Sequence, residues 1–435
     1  MNKATVFLSL LLFVFLMPLP VAGQDEDIPL ETPRSRAVRV FLDCRTCDMN
    51  YTRQEIPYVN YVRDVKEAQV FVLVTDQGSG NGGRQYTYRF QGMGSYAGML
   101  DTLVYTTNPD LTSSIIREQR TNILKMGLMR YVARTPLINE IRISHNRGLE
   151  AEEVVDKWNN WLFEFQTSPR YNAEQSYRRL FLRNSIDISK ITPDIKLEID
   201  ITQDLNRQRF IQEEEDITYV RSSESLSVLF VKSLGEHWSA GLRWNLGAST
   251  TANYKFNQEF LPSIEYDLYP YSLATHKQLR IMYSAGYQYS SYIDTSIYNL
   301  KKENLYKQEL RVAYQIQEKW GSINMSLTGS NYFNDFSKNS LQLSGFVRIR
   351  VIKGLSLSVN GDVAYINDQL NLRKGNLTEA ERLLRLKQQA TKFQIGGGLS
   401  VTYTFGSIYN NVVNPRFGRS GGGGGGGSFG GGMGF

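Results

Sequence analysis

Cysteine occurs only twice in the 435 residues and histidine three times. A four-thiolate zinc site needs two more cysteines, and His145, His237 and His276 all lie far from the pair Cys44 and Cys47, so no metal centre is expected. No apolar run approaches the roughly 20 residues that a membrane-spanning helix requires. With 41% hydrophobic residues and a mean hydropathy of −0.36, the composition excludes a helical membrane protein. An excess of one charge is missing too: 49 Lys and Arg face 43 Asp and Glu, net +6. The charges are interspersed with no basic run, which argues against nucleic acid as a partner.

What the chain has is aromatics, 26 Tyr and 21 Phe, and a pattern of alternation. Its plainest copy is Ile195-Lys196-Leu197-Glu198-Ile199-Asp200-Ile201, with aliphatic side chains at every second position and charges between. A strand sends successive side chains to opposite faces, so one face here is oily and the other carries Lys196, Glu198 and Asp200. The pattern recurs at strands of membrane length over roughly 250 residues, the form of a transmembrane β-barrel, whose interfacial girdles would use the aromatics. The fold class expected is therefore mainly β, a transmembrane antiparallel β-barrel of about 12 strands preceded by a small periplasmic α/β domain.

The amino terminus, 1–23, has Lys3, an apolar run from Val6 to Leu16 and Val21-Ala22-Gly23, the form of a cleavable secretory signal with cleavage expected before Gln24. No cysteine follows that site, so a lipid anchor is not expected. Residues 24–36, with Pro29 and Pro33, read as a linker. Residues 37–150 carry another grammar: a strand at Val38–Leu42, a helix at Thr52–Val62 with Thr52 as N-cap and Glu55 at N3, and strands at Ala68–Thr75, Arg84–Gln91 and Asp101–Thr107. A long helix over Leu111–Tyr131 closes the series. That order resembles the amino-terminal domain of the Tol-system propeller protein and the periplasmic part of the curli secretion lipoprotein.

Within this segment, Asp43-Cys44-Arg45-Thr46-Cys47-Asp48 admits a redox pair, half a metal site or a structural disulfide. Asp43 and Asp48 would oppose thiolate formation, so in an exported chain a structural disulfide is the expectation. The stretch Gly78–Gly83 invites a phosphate-loop reading, yet it lacks the Gly-Lys-Ser/Thr ending and joins two strands; a hairpin tip fits better.

After a short linker, 151–157, the barrel is expected over 158–405. Its twelve strands are read at Trp158–Thr167, Arg178–Ser189, Ile195–Asn206, Thr218–Ser233, Trp238–Ala248, Phe260–Leu268, Gln278–Ser290, Tyr306–Gln317, Ser322–Asn331, Leu341–Val351, Leu355–Tyr365 and Phe393–Phe405. An even number suits a single-chain bacterial barrel. Five connections, such as Lys353-Gly354, are tight, and the alternating six are longer and more polar; short periplasmic turns then put both barrel ends, the α/β domain and the tail on the periplasmic side. In the last long connection Thr378-Glu379-Ala380-Glu381 reads as a capping box before a short amphipathic helix that covers the rim. The inward face should present Asp187, Lys196, Glu198, Asp200, Arg243, Glu265, Asp267, Arg280, Arg311, Arg348, Arg350 and Asp362. Paired, these fill a narrow lumen, with Arg348 and Arg350 held by Asp362; unpaired, they line a channel for anions.

Catalysis finds little support, because His237 and His276 sit in turns and no nucleophile is specified beside them; no enzyme activity and no cofactor are expected, a barrel hydrolase being the distant alternative. Residues 406–435, with seven successive glycines, read as a flexible tail. The stretches Glu55–Asp64, Ser233–Trp238 and Ser407–Phe417 resemble an uncharacterised family of Gram-negative outer-membrane barrel proteins with such a periplasmic domain. The resemblance implies a cell outer membrane location, with the lipid bilayer and the barrel-insertion machinery as partners, and no activity. Two function classes follow. One is a structural, assembly or docking protein that engages a periplasmic protein partner; the other is a narrow channel for small anionic solutes.

Overall fold

A computed structural model describes residues 37–80, 82–108, 111–142, 157–211, 216–375, 378 and 390–406. The signal, the 24–36 linker, the acidic run Glu213–Glu215, nearly all of the 151–157 linker, the capping-box helix and the tail beyond Gly406 fall outside these residues.

The first unit is a five-stranded mixed sheet in the order β2-β1-β3-β4-β5. The strands are β1 (Arg39–Cys44), β2 (Asn60–Tyr61), β3 (Val70–Gly78), β4 (Arg84–Gly92) and β5 (Leu100–Thr106). Val70-Phe71-Val72-Leu73-Val74 is apolar at every position because β3 is central, flanked by β1 in parallel and β4 in antiparallel sense. Helix α2 (Ser113–Val132) packs Leu124, Leu128, Tyr131 and Val132 into the core formed with Val38, Val40, Tyr88 and Phe90. Gly127 lies against the Phe90 ring, where a Cβ would collide.

The helix expected over Thr52–Val62 is shorter and starts earlier. It is α1 (Met49–Glu55), capped by Asp48, whose side chain accepts from the Asn50 and Tyr51 amides; Thr52 is buried inside it, its hydroxyl donating to the Asp48 carbonyl. Pro57 disfavours helical geometry at Ile56, and the chain passes instead into β2.

The second unit is a twelve-stranded antiparallel meander, every strand hydrogen-bonded to its sequence neighbours. It runs through β6 (Trp161–Ala173), β7 (Tyr177–Ile191), β8 (Ile195–Phe210), β9 (Ile217–Ser233), β10 (Trp238–Ser249) and β11 (Tyr254–Asp267). It continues through β12 (Lys277–Tyr292), β13 (Lys302–Glu318), β14 (Gly321–Tyr332), β15 (Asp335–Ile352), β16 (Leu355–Ile366) and β17 (Phe393–Tyr403). Each matches one expected strand. Several extend further at the end opposite the Lys353-Gly354 turn, so the connections 174–176, 250–253 and 333–334 are as tight as those at the other end. The expectation that all six would be long fails, because polar residues beyond the apolar run still form ladder bonds. No described helix is long and apolar enough to cross a membrane, which says nothing about strands.

The sheet bends strongly toward one face. Lys307 on β13 reaches Glu259 on β11 at 2.7 Å, and Arg243 on β10 reaches Glu309 on β13 at 3.6 Å, contacts that skip one and two strands. The α/β unit spans the bend. A Cβ on Gly80, in the β3–β4 tip, would lie 2.6 Å from the Ile191 carbonyl oxygen of β7, while Asp43 at the end of β1 pairs with Arg350 of β15. In a flat sheet β7 and β15 would stand about 38 Å apart, eight spacings of ~4.8 Å. The hairpin tip expected at Gly78–Gly83 is present and rests against the first strands of the large sheet.

Candidate functional site

Strand register assigns the faces. Asp187 stands opposite Asp200, Ser227 follows, then Asn245, Glu259 and Gln288 across successive strands. Lys196, Glu198, Arg243, Glu265, Asp267, Arg280, Arg311, Arg348, Arg350 and Asp362 share that concave face by the alternation along each strand. The opposite, convex face carries Trp238, Trp244, Phe260, Ile264, Ile281, Leu310, Leu327, Leu343, Val359, Val363, Leu399 and Val401, all exposed. Burial is thus inverted: Ser284, Ser290 and Asp267 are fully buried on the concave side while large apolar groups face outward.

The concave charges are mostly paired. Glu309 holds Arg243 at 3.6 Å and Arg311 at 3.2 Å; Glu259 takes Lys307 and the Asn245 amide at 3.1 Å. Lys196 sits 3.0 Å from Glu198, and Arg280 is 3.9 Å from Glu265, which also accepts from Tyr271. Asp267 serves the turn after β11, accepting from the Tyr269 and Leu279 amides at 3.1 Å.

The expected pairing of Arg348 and Arg350 with Asp362 is absent. Asp362 stands opposite Ser344 with Gly396 beside it, Arg348 donates to the Ser358 hydroxyl at 3.2 Å, and Arg350 leaves its own sheet for Asp43 at 2.7 Å. The reason is position: Arg348 and Arg350 lie toward the Lys353-Gly354 end, whereas Asp362 lies further along β16. Arg350 also donates to the Lys319 carbonyl and covers the Phe41 ring at 5.1 Å.

Arg350 is one of a set of contacts between the two units. Arg45 donates to the Ser322 hydroxyl at 3.3 Å and covers Phe346, Arg89 stands 3.7 Å from Glu318, Lys353 pairs with Glu67, and the Gly354 amide donates to Asp64. All come from the end with the 319–320 and 353–354 turns. His276, in the connection before β12, sits among Arg89, Glu318 and Lys277; burial, reinforced by Arg89, holds its imidazole below its ordinary value.

At the far end three connections interlock. The Asn253 amide donates to the Asp294 and Asn371 carbonyls, Asn371 donates back to Ala252, and the Ile297 amide bonds to Leu372. Leu370 is buried with Leu305 and Tyr332, so the described part of the last long connection, 367–375, lies across that end of the concave face.

Cys44 and Cys47 form a disulfide. Behind it stands a residue that sequence spacing could not place there: Arg120 of α2, 8% exposed. Its Nη2 donates to the Thr46 hydroxyl at 2.8 Å and lies 3.4 and 3.5 Å from the Cys44 and Cys47 sulfurs; Nη1 donates to the Thr46 carbonyl and Nε to Tyr88. The described residues contain no cluster of three or more metal-ligating side chains.

No known protein-family model matches the chain, and no curated protein matches it either. Of the resemblance, the architecture is present: a small mixed α/β sheet followed by a twelve-stranded antiparallel sheet.

Proposed function

We propose that the chain is an outer-membrane β-barrel of structural or docking role, whose α/β unit sits in the periplasm over the barrel mouth and engages a protein partner. The observation that carries this reading is the inverted burial of the large sheet. An apolar face that recurs on strand after strand is costly against water and favourable against hydrocarbon, at about 25 cal/mol per Å².

Aromatic placement supports it. Trp158, Trp161, Trp238 and Trp320 all lie at the end with the 353–354 turn, where the Trp238 and Tyr266 rings are 4.7 Å apart; at the other end Tyr287 meets Tyr306 and Phe256 meets Tyr289. On β17 the outward residues run from Phe393 to Tyr403 with Ile395, Leu399 and Val401 between. The ten rises between these ends, at ~3.3 Å each and tilted by ~40°, span about 25 Å, the height of the apolar band of an outer-membrane barrel. Closing the barrel requires β6 to meet β17. The bend toward the polar face and the α/β unit that touches both β7 and β15 favour that closure.

A narrow anion channel is the second reading. It is favoured by the gathering of Arg45, Arg348 and Arg350 at the mouth, where Arg45 and Arg348 both cover Phe346 and Arg350 pairs with Asp43. Two measurements separate the readings. Membrane fractionation should find the full chain in the outer membrane, resistant to alkaline extraction; recovery in the soluble fraction overturns the barrel. Planar-bilayer recording should then give negligible conductance, and steady anion-selective current would put transport in place of docking.

A further inference from the structure

We propose that the Cys44–Cys47 disulfide is an exchangeable, oxidising dithiol/disulfide centre in which Arg120 holds the thiolate of the reduced form, its substrate class being dithiols. The sequence argues the other way, since Asp43 and Asp48 flank the pair. The fold removes that objection. Asp43 is engaged by Arg350 at 2.7 Å, and Asp48 is spent on Arg117 at 3.0 Å and on the first amides of α1.

What remains beside the sulfurs is a buried cation. Arg120 has no carboxylate within 4 Å among the described residues; its other partners are the neutral Thr46 and Tyr88 and the Tyr86 ring, 4.1 Å from the guanidinium. A buried charge without a counterion is costly. Reduction of the disulfide supplies one, because a cysteine thiolate formed within hydrogen-bond reach of Arg120 neutralises it. A cation beside a cysteine favours the thiolate, and stabilising the reduced form makes the disulfide a stronger oxidant. Both cysteines are partly exposed, so a partner thiol can approach.

The exchange balances as follows. A thiolate of the partner dithiol attacks one sulfur of the Cys44–Cys47 bond, forming a mixed disulfide and releasing the other cysteine as a thiolate beside Arg120. The partner's second thiol loses its proton and attacks its own sulfur in the mixed disulfide, expelling the remaining cysteine. The partner departs as a disulfide, two electrons have passed to this chain, and the two protons go to solvent or to the cysteines.

This inference rests on the α/β unit and its contact with Arg350, and is independent of lipid. The test uses the full chain reduced with dithiothreitol, titrated by iodoacetamide alkylation rate against pH and equilibrated in glutathione buffers. Alkylation should reach half its maximum well below the ordinary cysteine value of about 8.5. R120M should return that midpoint toward the ordinary value and shift the equilibrium toward the disulfide by about tenfold, ~30 mV for two electrons. R120K, which keeps the charge, should stay near the wild type, and decides the matter with the wild-type profile where R120M does not fold. A wild-type midpoint at or above the ordinary value, or an R120M protein unchanged in both measurements, overturns the proposal and leaves a structural disulfide.

Discussion

Arg350 shows how one side chain on the sheet answers to the other unit. Its pair with Asp43 is about four-fifths buried on both sides, 21% and 19% exposed, so the bond is shielded more than a surface pair. R350A should leave Asp43 partly buried without its cation and weaken the docked state by about 1–3 kcal/mol. Limited proteolysis of the full chain should accelerate correspondingly, and a double-mutant cycle with D43A should show the two changes to be non-additive.

His276 gives the docked state a pH dependence. Its neutral form is favoured when folded, so the unfolded or undocked chain binds the extra proton first and stability rises with pH. That contribution is complete above the ordinary histidine value of 6.5 and is lost as pH falls through it toward the lowered folded value. Thermal unfolding followed from pH 7.5 down to 5.5 should show a downward shift that H276Q lacks; an identical shift in both would assign it to other groups.

At the scale of elements, the two faces of a strand should respond differently to one substitution. Val359 is on the convex face of β16 and half exposed, near the middle of the strand. V359R should cost about 2–4 kcal/mol in lipid vesicles, as for arginine at the bilayer midplane. Q342R on the concave face of β15 should stay within about 0.5 kcal/mol. Urea unfolding in vesicles measures both, and equal costs would argue that the convex face does not meet lipid. In the α/β unit, G127A forces a methyl into the Phe90 ring and should destabilise by about 1–3 kcal/mol, read by loss of near-ultraviolet circular dichroism at lower denaturant.

For the whole molecule the expectation is topological. Cysteines placed in 293–301 should label on intact cells with an impermeant maleimide, and cysteines at Lys353 or Gly354 should not. The reverse pattern would invert the orientation, and labelling at both would reject the bilayer. The α/β unit bound at the 353–354 end then occupies the unlabelled side, with β5, whose Leu100 and Val104 are half exposed, as an edge strand that has no second neighbour among the described residues.

The sequence by itself determined the twelve strands and their faces. Alternation is a local property with a period of two, and stretches such as Ile195–Ile201 write it without interruption. It left strand ends short, because residues such as Tyr171 and Asn172 pair through the backbone whatever their side chains. It misplaced the first helix for a local reason also, taking Thr52 as the cap where Asp48 reaches the free amides. Tertiary structure alone decided the partners of charges. Arg350 meets Asp43 across 307 residues and Arg120 meets the cysteine sulfurs across more than 70, distances in sequence over which no periodicity carries information. Charge pairing depends on which groups the folded backbone brings within a few ångströms, so the setting of the disulfide and the docking of the two units were fixed only when the chain closed on itself.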